Sequence, residues 1–463
     1  MADKKEYEAL LASRKSIYET ADAERMERIF SYAEEYKQFL NTAKTEREAT
    51  AEAVRMAIAH GYTPYRFGDT LKPGDKRYFE NKGKGIYLFR IGKKPLAEAG
   101  FRILAAHVDS PRIDLKQNPL YEDSGMSFFK THYYGGIKKY QWMALPLALH
   151  GVVVRRDGET VNVKIGEEPS EPVFYINDLL PHLGQEQAKQ PLGSAISGES
   201  LNLLVGGIPV KGGKEGEAIK AKVLLLLNEK YGIVEEDFLS AELSAVPADP
   251  ARDVGFDRAF ISAYGHDDRC CAYPALTALL GLRDEAETVF VILADKEEIG
   301  SNGNTGMRCR LFSDLLDAVS LALGANPAAV RHASRCLSAD VNAAYDPNFP
   351  EVYEKRNSAL ISHGPAMSKF TGSRGKSGSN DASAEYVGFV RRLFAEANVT
   401  WQAAELGKVD IGGGGTVAMF IAEQNIDTVD LGLPVLSMHA PYEVISKADL
   451  YALHEAFSAF CRP

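Results

Sequence analysis

The run Thr288-Val-Phe-Val-Ile-Leu-Ala294, followed by Asp295-Lys-Glu297-Glu298, decides how the rest of the chain is read. Seven apolar or β-branched residues without polar alternation have the length of a strand buried on both faces, and such strands belong to parallel sheets covered by helices. The run stops abruptly on acids. On either side the rhythm changes to helix, from about Arg269 to Leu282 and from about Ser313 to Leu323, followed by a strand from Arg335 to Asp340. A helix near Ala382 to Ala397, a strand around Thr400 to Glu405, a helix from Thr416 to Glu423 and a closing helix from Lys447 to Ala459 continue the pattern. Strand–helix alternation predicts an α/β fold with a mostly parallel central sheet covered by helices.

Towards the N-terminus the same texture returns. Gly85-Ile-Tyr-Leu-Phe-Arg-Ile91 and Phe101-Arg-Ile-Leu-Ala-Ala-His107 read as strands. Before them, the region from Met1 to about Leu40 carries Tyr18, Met26, Ile29 and Phe30 on one helical face, and a second helix spans about Thr42 to His60. Between about Gln117 and Val246 the texture is β-like alternation broken by Gly206-Gly207 and Gly212-Gly213, with no helix–strand alternation. This predicts a catalytic domain in two parts, 1–116 and 247–463, interrupted by an inserted β-rich domain at 117–246. A length of 463 residues also favours more than one core.

Composition narrows the function. Hydrophobic residues at 45% and charged residues at 25% are the balance of a globular protein. A net charge of −10, with basic runs no longer than Lys138-Lys139 or Arg155-Arg156, gives no reason to expect nucleic acid or an anionic membrane as partner. No apolar stretch has the length of a membrane span, and the N-terminus lacks the apolar centre of a signal peptide, so a cytoplasmic location is expected. The five cysteines form neither a paired framework nor CxxC spacing, and Cys270-Cys271 reads as buried small apolar residues.

Four segments share one property: an apolar strand ends in Asp, Glu or His. They are Leu104-Ala-Ala-His107-Val-Asp109, Val291-Ile-Leu-Ala-Asp-Lys-Glu297-Glu298, Leu337-Ser-Ala-Asp340 and Leu436-Ser-Met-His439. In open α/β sheets ligands bind at the carboxyl ends of the strands, so these side chains should converge there. A fifth segment, Gly265-His-Asp267-Asp268-Arg269, precedes a helix and could reach the same crevice. Alone, His107 reads as an interior histidine, Glu297-Glu298 as a solvated turn and Asp340 as a cap. Their coincidence points to metal. Two imidazoles with several carboxylates suit Zn²⁺, Mn²⁺ or Co²⁺ rather than Mg²⁺ or Ca²⁺, and one carboxylate bridging two ions about 3.5–4 Å apart would complete a two-metal hydrolase site. Asp109, two residues beyond His107, could fix the imidazole tautomer, or cap the turn before Ser110-Pro111.

These segments resemble the aspartyl aminopeptidase-like family of dinuclear zinc aminopeptidases. The resemblance rests on His107-Val-Asp-Ser-Pro-Arg112, Tyr134-Gly-Gly-Ile137, Asp267-Asp268-Arg269, Asp295-Lys-Glu297-Glu298-Ile-Gly-Ser301, Ser338-Ala-Asp340-Val-Asn and Met438-His439-Ala440. It implies His107 and Asp340 on one ion, Glu298 and His439 on the other, and Asp267 bridging both. It further implies Glu297 as general base and Asp109 as the support of His107. Asp268 competes for the bridge on sequence alone, and the family's motif selects the first acid, Asp267. Peptides with a free N-terminus are the implied substrates, two zinc ions the implied cofactors, with cobalt or manganese as alternatives. The inserted segment is implied to be a dimerisation domain within a tetrahedral homododecamer. The exposed edges of its strands independently predict self-association.

Specificity is the least explicit part of the chain. The resemblance implies a substrate-facing Lys369 and a histidine, His182, reaching a neighbouring subunit's pocket, and Lys138 and Lys139 lie where a neighbour could contribute. After Ile137 the sequence departs from the better-known members, and four glycines, Gly412 to Gly415, replace their Cys-Gly pattern. Gly413 in that run could bring backbone N–H groups to substrate. The lysines favour acidic or polar N-terminal residues, and the departures favour a broader range. Two rivals stand beside this reading: a dinuclear deacylase or carboxypeptidase, and a catalytically silent assembly protein of the same fold.

Overall fold

A computed structural model describes residues 10–11, 15–283 and 286–462. The remaining positions lie outside the described residues, among them part of the helical region expected from Met1. Three sheets organise the chain. The largest has nine strands in the order β1 (Thr63–Pro64), β2 (Lys76–Asn81), β3 (Gly85–Arg90), β14 (Thr288–Ala294), β4 (Phe101–His107), β15 (Arg335–Ser338), β19 (Asp427–Gly432), β17 (Ala366–Ser368) and β18 (Gln402–Ala403). Its centre, β14–β4–β15–β19, is parallel throughout, as the unbroken apolar runs require.

The expectation of a mostly parallel sheet is corrected at the flanks, and the sheet is mixed. β2 and β3 form a hairpin around Lys82-Gly83-Lys84, a connection too short for anything but antiparallel pairing. β3 pairs antiparallel with β14, and β17 antiparallel with β19. Apolar layers cover both faces. One contains Phe89, Phe101, Ile103, Phe290 and Leu315, and the other Leu88, Leu104, Val291, Leu276, Leu453 and Phe457. The second layer is closed by the helices Ala23–Thr42, Glu46–Ala59, His266–Leu280 and Lys447–Cys461. Asp22 and Thr45 cap the first two of these, each accepting a backbone N–H with its side-chain oxygen.

A second, antiparallel sheet has seven strands in the order β8 (Thr160–Ile165), β7 (Leu147–Val154), β11 (Ala241–Pro247), β5 (Arg112–Asp123), β6 (Met126–Tyr134), β10 (Leu203–Gly206) and β9 (Tyr175–Ile176). It has its own core, including Phe129, Trp142, Leu149, Phe238 and Leu243. It also carries a fourteen-residue helix, Ala218–Tyr231, where only β-texture was read. Four consecutive leucines, Leu224 to Leu227, hide the 3.6-residue period there.

The third sheet was not anticipated. Its order is β12 (Arg252–Val254), β13 (Phe260–Ala263), β21 (Glu443–Ser446), β20 (Pro434–Leu436) and β16 (Asn342–Ala343). None of the described helices is long and apolar enough to cross a membrane.

Candidate metal centre

The large sheet delivers half of the site. His107 is the last residue of β4 and lies opposite Ala294 of β14, while Ser338 at the end of β15 lies opposite Ala105. The chain therefore leaves β14 towards Glu297 and Glu298, and β15 towards Asp340, at one common edge. At that edge β19 ends in Gly432, where a Cβ would stand 1.5 Å from the Asp340 carbonyl oxygen, so only glycine fits.

The small sheet delivers the rest. Ala263, at the end of β13, pairs with Glu443 at the start of β21, and Asp267 follows β13 at the beginning of the helix His266–Leu280. His439 sits in the connection from β20 to β21, with a left-handed φ of 65°.

The two deliveries meet across Asp267. Its Oδ1 is 3.2 Å from His107 Nε2 and its Oδ2 is 3.1 Å from His439 Nε2, so each oxygen of one carboxylate faces one imidazole. Asp340 Oδ1 stands 3.8 Å and Glu297 Oε2 4.0 Å from His107 Nε2, and Glu298 Oε2 lies 3.4 Å from His439 Nε2. Asp268 accepts the His107 backbone N–H at 3.3 Å through Oδ2, and it too lies within reach of His107 and Asp340.

Asp109 is fully buried beside the site. Its backbone oxygen is 3.0 Å and its Oδ1 3.3 Å from His107 Nδ1. Its carboxylate also accepts the backbone N–H groups of Glu297 and Glu298 at 3.1 and 3.2 Å. A third donor, from the Tyr134-Gly-Gly-Ile137 motif, is the Tyr134 hydroxyl at 2.8 Å from Oδ2. The Arg112 guanidinium stacks 4.1 Å over the Tyr134 ring.

This density of acid shifts the side chains. Burial, with the charges of Asp340 and Asp267 beside it, pushes the Glu297 carboxyl up to about 8. Burial pulls the His439 imidazole down, but Asp267 and Glu298 outweigh it and raise it to about 10. A divalent cation among these groups would favour the charged carboxylates and neutral imidazoles instead. Four buried atoms fit that use: His107 Nε2, Asp267 Oδ1, Asp268 Oδ1 and Glu298 Oε1 have no hydrogen bond among the described residues. The atoms of His107, Asp267 and Glu298 also lie close enough together to hold an ion, as do those of His107, Asp268 and Asp340.

Relatives carry the same architecture. Residues 39–461 match the Aminopeptidase I zinc metalloprotease (M18) family. A probable M18 family aminopeptidase 1 from Clostridium acetobutylicum is 49% identical over 459 residues, covering 97% of this chain and 98% of that protein. The chain belongs to the M18 aminopeptidase family. It is thus a zinc metalloprotease, a hydrolase that acts as an aminopeptidase. The crystal structure of an M18 aminopeptidase from Thermotoga maritima superposes with a TM-score of 0.93 at 43% identity, covering 98% of this chain and all of that one. A S. cerevisiae mApe1 dodecamer shares the M18 fold at 22% identity, with a TM-score of 0.75 over 93% of this chain and 96% of that one.

The residues suspected of substrate binding lie apart from this convergence. β17 runs antiparallel to β19, starting opposite Gly432 and ending opposite Asp430, so the chain reaches Lys369 while running away from the carboxyl edge. Lys369 is exposed and paired with Asp381 at 2.5 Å. His182 is exposed in the connection from β9 to β10 of the seven-stranded sheet. Lys138 and Lys139 border a cavity of about 500 Å³ with Tyr133, Gly136 and Leu192. Gly136 touches the site, since its carbonyl oxygen is 2.7 Å from His439 Nδ1. Gly413 has a φ of 114°, and a Cβ there would stand 2.0 Å from the Gly372 carbonyl oxygen, so close chain approach by itself demands glycine.

Proposed function

We propose that this aminopeptidase works with two divalent ions, His107 and Asp340 holding one, Glu298 and His439 the other, and Asp267 bridging. The facing of the two Asp267 oxygens towards the two imidazoles carries this reading. Zinc is the preferred ion, with cobalt or manganese as substitutes. Bound there, the ions acidify a water and polarise the scissile carbonyl of a peptide with a free N-terminus.

Glu297 is the general base. It stands at the site without being needed as a ligand, its Oε2 4.0 Å from His107 Nε2, and there an ionised carboxylate can take a proton from water and return it to the leaving amine. Asp109 fixes His107 through Nδ1 and holds the turn that carries Glu297 and Glu298.

We further propose a lean towards acidic or polar N-terminal residues. Lys138 and Lys139, beside the cavity next to Gly136, supply the cations for it, and Lys369, His182 and the Gly413 loop are the secondary contributors, reaching substrate across an assembly. Self-association follows through the domain of the seven-stranded sheet, as a tetrahedral homododecamer in the cytoplasm. Its exposed Val173, Leu180, Leu183, Leu225 and Leu226 support burial against other copies.

The experiment is a panel of Asp-, Glu-, Leu- and Lys-amide substrates, with and without a blocked α-amino group, run on chelated and re-metallated enzyme. Turnover is expected only with free amines and restored metal, and two ions per chain at saturation. A leucine substrate matching both acidic ones would sink the acidic lean, and so would a Lys369→Met variant together with a Lys138→Met variant that leave it unchanged. Light scattering at micromolar concentration is expected to show an oligomer, and a monomer would overturn the assembly.

A further inference from the structure

We propose that Glu443 is a positioning residue that fixes His439 against the bridging Asp267. Glu443 is the first residue of β21 and is 1% exposed. Its two carboxylate oxygens divide between the two ligand-bearing segments: Oε1 accepts the His439 backbone N–H at 2.7 Å, and Oε2 accepts the Asp267 backbone N–H at 3.0 Å. One rigid group thus sets the distance between a loop residue and the start of a helix.

The chemistry explains why the residue is acidic. Both partners are donors, so the clamp needs two acceptors, and a carboxylate offers them with the strength of charge-assisted bonds. A glutamine would keep one acceptor and point an NH₂ donor at the second N–H. Burying a carboxyl is costly, and its hydrogen bonds here go to the two segments that present Asp267 and His439.

His439 needs such a clamp. Its side chain is 31% exposed, its φ is 65°, and it belongs to no strand. His107, by contrast, ends a central strand with its side chain 1% exposed. Asp109 does for the Glu297–Glu298 turn what Glu443 does here, taking two backbone N–H groups with two oxygens.

The inference rests on the two-ion reading and is tested apart from activity. Glu443→Gln and Glu443→Ala in the full chain are titrated with zinc against a chromophoric chelator, which resolves two binding steps, and melted in excess chelator. Expected is one step like the wild type and one weakened about 10–100-fold, the range for losing a partner that orients a ligand. The isosteric Gln variant should stay folded without metal, with a melting transition lowered by the one buried N–H it leaves unpaired, and lowered less than that of the Ala variant. Two unchanged steps, or both steps weakened alike, overturn the inference, and if the Ala variant fails to fold the Gln variant alone decides. A wild type that takes up fewer than two ions overturns the two-ion reading and this inference with it. A two-ion wild type with unaltered variants overturns this inference alone.

Discussion

The two halves of the candidate metal centre are built in opposite ways. The half on the nine-stranded sheet is an edge of parallel strands, where His107 is fixed by the register of β4 between two neighbours and buried to 1%. The half on the five-stranded sheet is a loop and a helix start, brought together by strands of three or four residues, and its histidine is 31% exposed. The long sheet fixes His107 by register and packing, and leaves only the Glu297–Glu298 turn beyond it to the Asp109 hydrogen bonds. The small one must fix its residues by hydrogen bonds, which is why Glu443 and the Gly136 carbonyl contact the His439 side.

The largest expected effect probes the rigid half. Glu297→Gln should lower kcat by about 10²–10⁴-fold while the chain still takes up its ions, because the proposed base is lost and the shape is kept. Metal content measured beside the rate decides: loss of an ion with the rate would make Glu297 a ligand, and the rigid half would hold more of the metal than proposed.

Next comes the anchorage of the small sheet. Asp253 of β12 receives Lys37 at 2.8 Å, Lys447 at 2.9 Å and Arg258 at 2.6 Å, and the Lys447 side chain, just beyond β21, is wholly buried. Asp253→Asn leaves that lysine poorly paired and should cost roughly 3 kcal/mol of stability, read by denaturant unfolding. Burial raises the Asp253 carboxyl, but the three cations outweigh it and hold it well below the usual carboxylate range. A folded pKa below the unfolded one gives stability that is full above the unfolded value of about 4 and is lost as pH falls towards the folded value. Acidification from pH 5 to pH 3 should therefore cost the wild type more than the variant. Parallel curves would remove Asp253 as the anchor.

The same contrast explains what could be read beforehand. His107, Glu297, Glu298 and Asp340 were visible as acids and a histidine ending apolar runs, since a buried parallel strand announces itself and its end. The parallel centre was legible for that reason. The hairpin partner β2 and the short β17 were not, because pairing direction comes from connections rather than runs. The third sheet was invisible, as strands such as Asn342–Ala343 carry no periodicity. His439 is legible as the acid-or-histidine end of an apolar run and Asp267 as a helix-entry acid able to reach the same crevice, but nothing in Glu443-Val-Ile-Ser446 separates a buried clamp from the charged start of a strand. The helix Pro327–Ala333 carries a sequence signal, Asn326 capping with Pro327 at its first position.

The smallest effect concerns the segment that touches both halves. Leaving β6, Tyr134 gives its hydroxyl to Asp109 on the large-sheet side, and two residues later the Gly136 carbonyl meets His439 on the small-sheet side. Tyr134→Phe cuts only the first contact. The ring stays under Arg112, and Asp109 keeps the N–H groups of Glu297 and Glu298, so the turn should hold and the melting temperature should stay near that of the wild type. What is lost is one hydrogen bond to a charged group, worth about 1.5–3 kcal/mol when nothing compensates. With two donors remaining, about a tenfold fall in kcat/KM is expected, near the lower end for residues that orient a ligand. Zinc titration tells which half responds. If the second contact is independent, the binding step assigned to His107 weakens and the one assigned to His439 does not. Weakening of both would mean that the segment moves as one piece, and that the seven-stranded sheet governs the whole centre rather than its buried half.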